Sequence, residues 1–179
     1  VAHEHSDQPS PFLTGQIDLL KTAPAMTALD VACGKGRNLI YLAEQGFNVT
    51  GVEYDDDSIG HVMAEVRKRD IEAHVTKSDL EAEGATLPGP FGVVCVFYFL
   101  HRPLMPAIRN AVMPGGFLVY ETFLIDQRER WGTPRHAEFA WGKNELLREF
   151  DSGFRVRHYE ERIDEAAQTA CARIVAQRI

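Results

Sequence analysis

A chain of 179 residues, 45% hydrophobic and 25% charged, has the composition of one ordinary globular domain able to bury a sizeable core. A formal net charge of -7 opposes the broad phosphate-neutralising surface that duplex nucleic acid or an anionic membrane requires. No apolar run approaches the roughly 20 residues of a membrane span, and Val1 to Ser10 is polar without a signal-peptide core. The expectation is a cytoplasmic protein, monomeric or homodimeric, with residues 1–9 a flexible tail and 10–179 a single domain. Cys33, Cys95 and Cys171 are widely separated and show neither metal-ligand spacing nor the even count of a disulfide framework, which suits a reducing compartment. The His3-Glu4-His5 cluster has no downstream partner pattern, so it reads as solvated tail and no metal is expected.

Taken in order, the chain alternates between strand and helix patterns. Phe12, Leu13, Ile17, Leu19 and Leu20 predict an opening helix over Pro11 to Lys21, with Ser10 and Pro11 as its start signals. A buried strand follows, about Thr27 to Ala32. Leu39, Leu42, Ala43 and Gly46 then share one helix face, and Phe47, Val49 and Gly51 alternate as a second strand. Ile59, Val62, Met63 and Val66 mark a helix entered through Asp55 to Ser58, and Ile71, Ala73 and Val75 a third strand. Gly92 to Phe97 is a continuous apolar run suited to a central parallel strand, followed by a helix from Pro103 carrying Leu104, Ile108, Ala111 and Val112. Pro114-Gly115-Gly116 turns into a fifth strand, Phe117 to Phe123. A long loop to Gly142, a short helix around Glu145 to Phe150, and strands near Phe154 to Glu160 and Cys171 to Arg178 complete the chain. Such alternation predicts an α/β fold, an open parallel sheet covered on both faces.

Ligands of such sheets bind beyond the carboxyl ends of the strands, and the turn after the first strand is central to that crevice. Here it contains Asp30, Ala32, Cys33, Gly34, Gly36 and Asn38. The two glycines permit a tight turn and close approach of a ligand. A dinucleotide fingerprint would place its third glycine at position 39, which is Leu39, and a carboxylate such as Asp30 gains nothing from a pyrophosphate. The sulfonium and amino groups of S-adenosylmethionine carry positive charge, so the turn favours that cofactor. Glu53 ends the second strand, where a carboxylate can accept both ribose hydroxyls, a role suited to either cofactor. Asp79 ends the third strand, placed to accept the adenine amino group while Leu80 packs on the ring.

The run Leu29-Asp30-x-x-Cys33-Gly34-x-Gly36-Arg37-Asn38, then Gly51-Val52-Glu53, Ser78-Asp79-Leu80 and Met113-Pro114-Gly115-Gly116, resembles the successive motifs of class I S-adenosylmethionine-dependent methyltransferases. The resemblance covers roughly residues 10–179 and implies a Rossmann-like three-layer sandwich, with a mostly parallel seven-stranded sheet and an antiparallel last strand. It also implies Tyr54 alongside adenine and Phe97 or Tyr98 near the cofactor. Cys33 to Ala43 and Asn144 to Arg148 are similar to tellurite-resistance methyltransferases and their small relatives, whose acceptors are small, soft or oxyanionic. The final third departs from that pattern, which disfavours tellurite itself.

Methyl transfer from a sulfonium is an in-line displacement, so a thiolate or chalcogen oxyanion acceptor needs binding and alignment, while a protonated acceptor also needs a base such as His101 or Glu121. Tyr98 to Pro103 differs from the Asn/Asp-Pro-Pro-Tyr motif of base and glutamine nitrogen methyltransferases. His101 reads equally as a cap or core residue, and Arg102 as a partner of an acidic neighbour. The loop holding Arg128, Arg130, Trp131, Arg135, His136, Phe139 and Trp141, with Gly132 and Gly142 as hinges, is expected to close over a small anionic or aromatic acceptor; the alternative is an inert loop with surface arginines whose aromatics pack onto the sheet, Trp131 and Trp141 as its core anchors. The expected activity is methyl transfer to a small molecule. The rival readings are a nicotinamide oxidoreductase and a non-catalytic S-adenosylmethionine-binding regulatory protein.

Overall fold

The computed structural model describes residues 7–179, so the His3-Glu4-His5 cluster lies outside the described residues. Its strands are β1 Thr27–Val31, β2 Asn48–Glu53, β3 Ala73–Lys77, β4 Phe91–Phe97, β5 Val112–Phe123, β6 Phe154–Asp164 and β7 Thr169–Arg178. The helices are α1 Pro11–Thr14, α2 Ile17–Leu20, α3 Arg37–Glu44, α4 Asp56–Arg69, α5 Met105–Ala111, α6 Ile125–Trp131 and α7 Glu145–Glu149. The strands form one sheet of order β3-β2-β1-β4-β5-β7-β6. β1 to β5 pair in parallel, and β7 inserts antiparallel between β5 and β6. The predicted seven strands and reversed last strand are both present.

Period-2 alternation divides the core. Leu29 and Val31 of β1, Val94 and Val96 of β4, and Leu118 and Tyr120 of β5 face one side, with Ile108 of α5 and Leu146 of α7. Ala28, Val93, Cys95, Phe97 and Val119 face the other, where Leu13, Leu39, Leu42 and Val62 of α1, α3 and α4 cover them. Each valine, leucine, isoleucine or phenylalanine among them, withdrawn from water, contributes about 1.5–3 kcal/mol before the entropy of ordering is counted. The alternation also puts Asp30 on the α3 side, buried at the carboxyl end of a central strand.

Three expectations change. The opening helix is two single turns, broken at Gly15-Gln16, where the Gly15 amide bonds back to Pro11 and closes the first turn. The fifth strand begins at Val112, so Pro114-Gly115-Gly116 lies within it. The predicted long loop contains α6, which packs on β7, and a 3-10 turn over Ala137–Phe139. Trp141 is buried, as expected of an anchor, whereas Trp131 is only partly so. No helix among the described residues is long and apolar enough to cross a membrane.

Candidate cofactor and acceptor site

The turn between β1 and α3 is tight for a reason visible in its backbone. Ala32, Gly34 and Gly36 adopt φ of 55, 54 and 78°, and a Cβ on Gly36 would lie 2.7 Å from Val62 of α4, so only glycine fits there. A non-glycine residue in this conformation, as Ala32 is, costs energy and clusters at functional sites. Tyr98, directly after β4, shares it with φ 54°. These two strained positions close the carboxyl ends of the central strands β1 and β4.

A cavity of about 670 Å³ opens there, lined by Asp30, Ala32, Cys33, Gly34, Asn38, Phe97 and Tyr98 among others. That volume suits a small cofactor. Asp30 is 2% exposed, and its Oδ2 has no hydrogen-bond partner among the described residues. Burial raises its carboxyl to about 7 from 3.8, against the opposing pull of the Leu39 amide and Arg37. An unpaired buried carboxylate oxygen at a cavity wall favours a cationic ligand group, and the amino end of S-adenosylmethionine is one. Burial, with Asp30 and Glu53 nearby, also pushes the Cys33 thiol far up, so it stays neutral and inert.

Glu53 joins this turn through its side chain. Its Oε2 accepts the Gly34 amide at 2.7 Å, and its Oε1 accepts the Tyr54 and Asp55 amides at 2.8 and 3.0 Å. The carboxylate thus binds the end of β2 to the first turn, with lone pairs left for ligand hydroxyls. Tyr54 is 64% exposed, with the Lys77 ammonium 5.9 Å from its ring centroid. Asp79 is exposed and accepts the Glu81 amide at 2.9 Å, while Leu80 is buried in the core. Glu53, Tyr54, Asp79 and Leu80 lie outside the cavity lining, which instead runs along α4 past Ser58, His61 and Glu65.

Glu121, on β5, is 2% exposed beneath the wall formed by Tyr98. Its Oε1 accepts the Tyr98 hydroxyl at 2.8 Å; its Oε2 accepts the Ser10 hydroxyl at 3.3 Å and pairs with Arg173 at 3.0 Å. Arg173 also donates to Glu160 at 2.9 Å. Ser10 and Arg173 have no motif around them, and Ser10 is marked in the sequence only as a helix start. His101 is half-buried at the entry to the Arg102–Leu104 turn, and Arg135 is exposed between α6 and Trp141; neither lines the cavity. Arg102 does find its acidic neighbour, Glu145, at 2.7 Å.

The tellurite resistance protein TehB family model matches residues 11–175 of this chain. The chain belongs to the TehB family. Among its relatives is a probable S-adenosyl-L-methionine-dependent methyltransferase TehB of Haemophilus influenzae, 26% identical over 159 residues, 86% of this chain and 54% of that protein. A glycine N-methyltransferase of Oryctolagus cuniculus is 32% identical over 134 residues, 63% of this chain and 45% of that one. The chain therefore spans about half the length of these curated relatives. The crystal structure of TehB from Haemophilus influenzae superposes with a TM-score of 0.75 at 20% identity, over 92% of this chain and 62% of that one. Magnesium protoporphyrin IX methyltransferase of Synechocystis, solved with bound S-adenosylhomocysteine, superposes at 0.70 and 13% identity, over 93% of this chain and 82% of its own. These likenesses establish the fold of the TehB-family chain as that of the Rossmann-like methyltransferases.

Proposed function

We propose that the protein transfers a methyl group from S-adenosylmethionine to a small-molecule acceptor, a thiol or a chalcogen oxyanion. The observation that carries this reading is Asp30: a carboxylate 2% exposed, with an oxygen that has no partner among the described residues, set in the cavity wall beside the turn that Glu53 ties down. Membership of the TehB family supports the same reading. A pyrophosphate-bearing nicotinamide cofactor would meet that carboxylate unfavourably.

When bound, the cofactor supplies an electrophilic methyl group on a positively charged sulfur. Asp30 would hold the cationic amino end, and Glu53 would accept the ribose hydroxyls while keeping the first turn closed. Asp79, Leu80 and Tyr54 would flank the adenine. Phe97 and Tyr98 would wall the reacting end and exclude water, which strengthens every electrostatic contact inside. The acceptor must then lie about 3–3.5 Å from the methyl carbon, in line with the bond that breaks. A thiolate or oxyanion brings its own lone pair and needs no base; for a protonated acceptor His101 would take the proton. Arg135 would attract an anionic acceptor. The oxygens of Glu121 are already engaged by Tyr98, Ser10 and Arg173, so its contribution is to hold Tyr98.

Calorimetric titration with S-adenosylhomocysteine, run beside NADH, tests the reading. Binding of S-adenosylhomocysteine that weakens at least about tenfold in Asp30→Asn and Glu53→Gln is expected, each removing a charge-assisted contact. Selective binding of NADH would overturn it.

A further inference from the structure

The segment preceding α1 is tied to the site at more than one point. The Ser10 amide donates to Asn38 Oδ1 at 2.9 Å, and its hydroxyl donates to Glu121 Oε2 at 3.3 Å while accepting the Phe12 amide at 3.2 Å. Ser10, Asn38 and Glu121 are 1, 4 and 2% exposed, so water competes for none of these bonds. Two residues earlier, the Gln8 carbonyl accepts from Arg37 at 3.4 Å, and Asp7 forms part of the cavity wall. Arg37 in turn lies 5.7 Å over the Tyr98 ring, whose hydroxyl bonds Glu121. One serine therefore bridges the cofactor turn, through Asn38, to the strand that fixes Tyr98, through Glu121.

We propose that Ser10 is a positioning residue: it couples cofactor binding at the first turn to closure of the Asp7 to Thr14 segment and to the placement of Tyr98 on the acceptor side. This rests on the methyltransferase reading. A ligand that steadies the turn steadies Asn38, and through it the Ser10 amide; the reverse follows by linkage, since loosening Ser10 must weaken the ligand by the same factor. Phe12 and Leu13 anchor the far end of the segment in the core, whereas residues 7–10 meet the site through the polar bonds above, so the opening of that stretch is biased by these bonds.

The test is amide hydrogen exchange of residues 7–14 with and without S-adenosylhomocysteine, in the wild type, Ser10→Ala and Ser10→Thr. In the wild type the ligand is expected to slow exchange by about fivefold or more, the lower end of ordinary coupling. Ser10→Ala should lose most of that protection and bind the ligand several-fold more weakly, and Ser10→Thr should recover both. A merely structural cap would lower Tm in Ser10→Ala yet leave the ligand-dependent protection intact. Ligand binding with unchanged exchange in the wild type would overturn the coupling alone, whereas failure of S-adenosylhomocysteine to bind would overturn the cofactor reading and the coupling with it.

Discussion

Leu39 of α3 occupies the hollow that Gly51 leaves in β2: a Cβ at position 51 would stand 2.6 Å from Leu39 Cδ1 and 2.8 Å from Cys33 Sγ. A dinucleotide fingerprint places its close-packing glycine on the helix, at what is here position 39. In this chain the small residue sits on the strand and the large one on the helix. Gly51→Ala is expected to lose about 1–3 kcal/mol in urea unfolding through overpacking. Leu39→Ala should lose about 2–5 kcal/mol through the cavity it leaves. The double variant should lose less than the sum, because the new methyl enters the space that the leucine vacates. Additive losses would show that the two residues do not share this hollow.

On the proposed function, Asp30 should make stability and ligand binding pull in opposite directions with pH. Its carboxyl is raised to about 7 from 3.8, so over that interval the folded protein holds a proton that the unfolded chain releases. Stability from this group is complete below about pH 4 and is lost as pH rises through about 7, by roughly 4 kcal/mol at most. Asp30→Asn should flatten that fall and be the more stable protein at pH 8. The ammonium group of S-adenosylhomocysteine favours the ionised form, so wild-type affinity for this ligand should rise between pH 6 and 8 relative to Asp30→Asn. Parallel pH profiles for the two proteins would remove Asp30 from the ligand site.

The network around Glu121 is legible only in three dimensions. Glu121 lies near the carboxyl end of the apolar strand β5 and its position marks it as a candidate for chemistry, yet Arg173 and Ser10 reach it from far along the chain. No local pattern encodes such a meeting. The turn from Asp30 to Asn38 and the end of β2 at Glu53 are legible as elements because each is a short motif at a strand boundary, fixed by local backbone geometry, whereas β3 ends at Lys77, two residues before Asp79. Helix α6 reads as loop for the opposite reason: its buried residues include Asp126 and Gln127, which a hydrophobic pattern assigns to solvent. Gln127 is satisfied internally, accepting the Ala170 amide at 2.6 Å and donating to the Gln168 carbonyl at 3.2 Å.

Arg173→Ala would strip the buried Glu121 carboxylate of its partly exposed cationic partner, and leaving a buried charge unpaired costs about 3–5 kcal/mol. Tyr98→Phe removes one neutral donor from the same carboxylate and should cost about 1–3 kcal/mol. Because both act on one group, their losses should couple by more than about 0.5 kcal/mol in a double-mutant cycle read by denaturant unfolding. Strict additivity would mean that Glu121 does not join them.

Arg102 holds down the segment between α6 and α7. It donates to both oxygens of Glu145 at 2.7 and 2.9 Å and to the carbonyls of Glu138 and Ala140 at 2.7 and 3.1 Å, and its guanidinium lies 5.2 Å over the Trp141 ring. One side chain thus satisfies two backbone carbonyls that would otherwise need water, and shields an indole that is 1% exposed. Its removal should loosen the segment carrying Arg135 and His136 while the sheet stays intact. Arg102→Ala is expected to show faster trypsin cleavage after Arg135, at unchanged cofactor affinity, because local opening governs cleavage when reclosing is fast. Glu145→Gln keeps an acceptor for Arg102 and leaves the carbonyl contacts in place, so it should cleave at an intermediate rate. Equal cleavage in all three proteins would show that the segment is held by Trp141 packing alone.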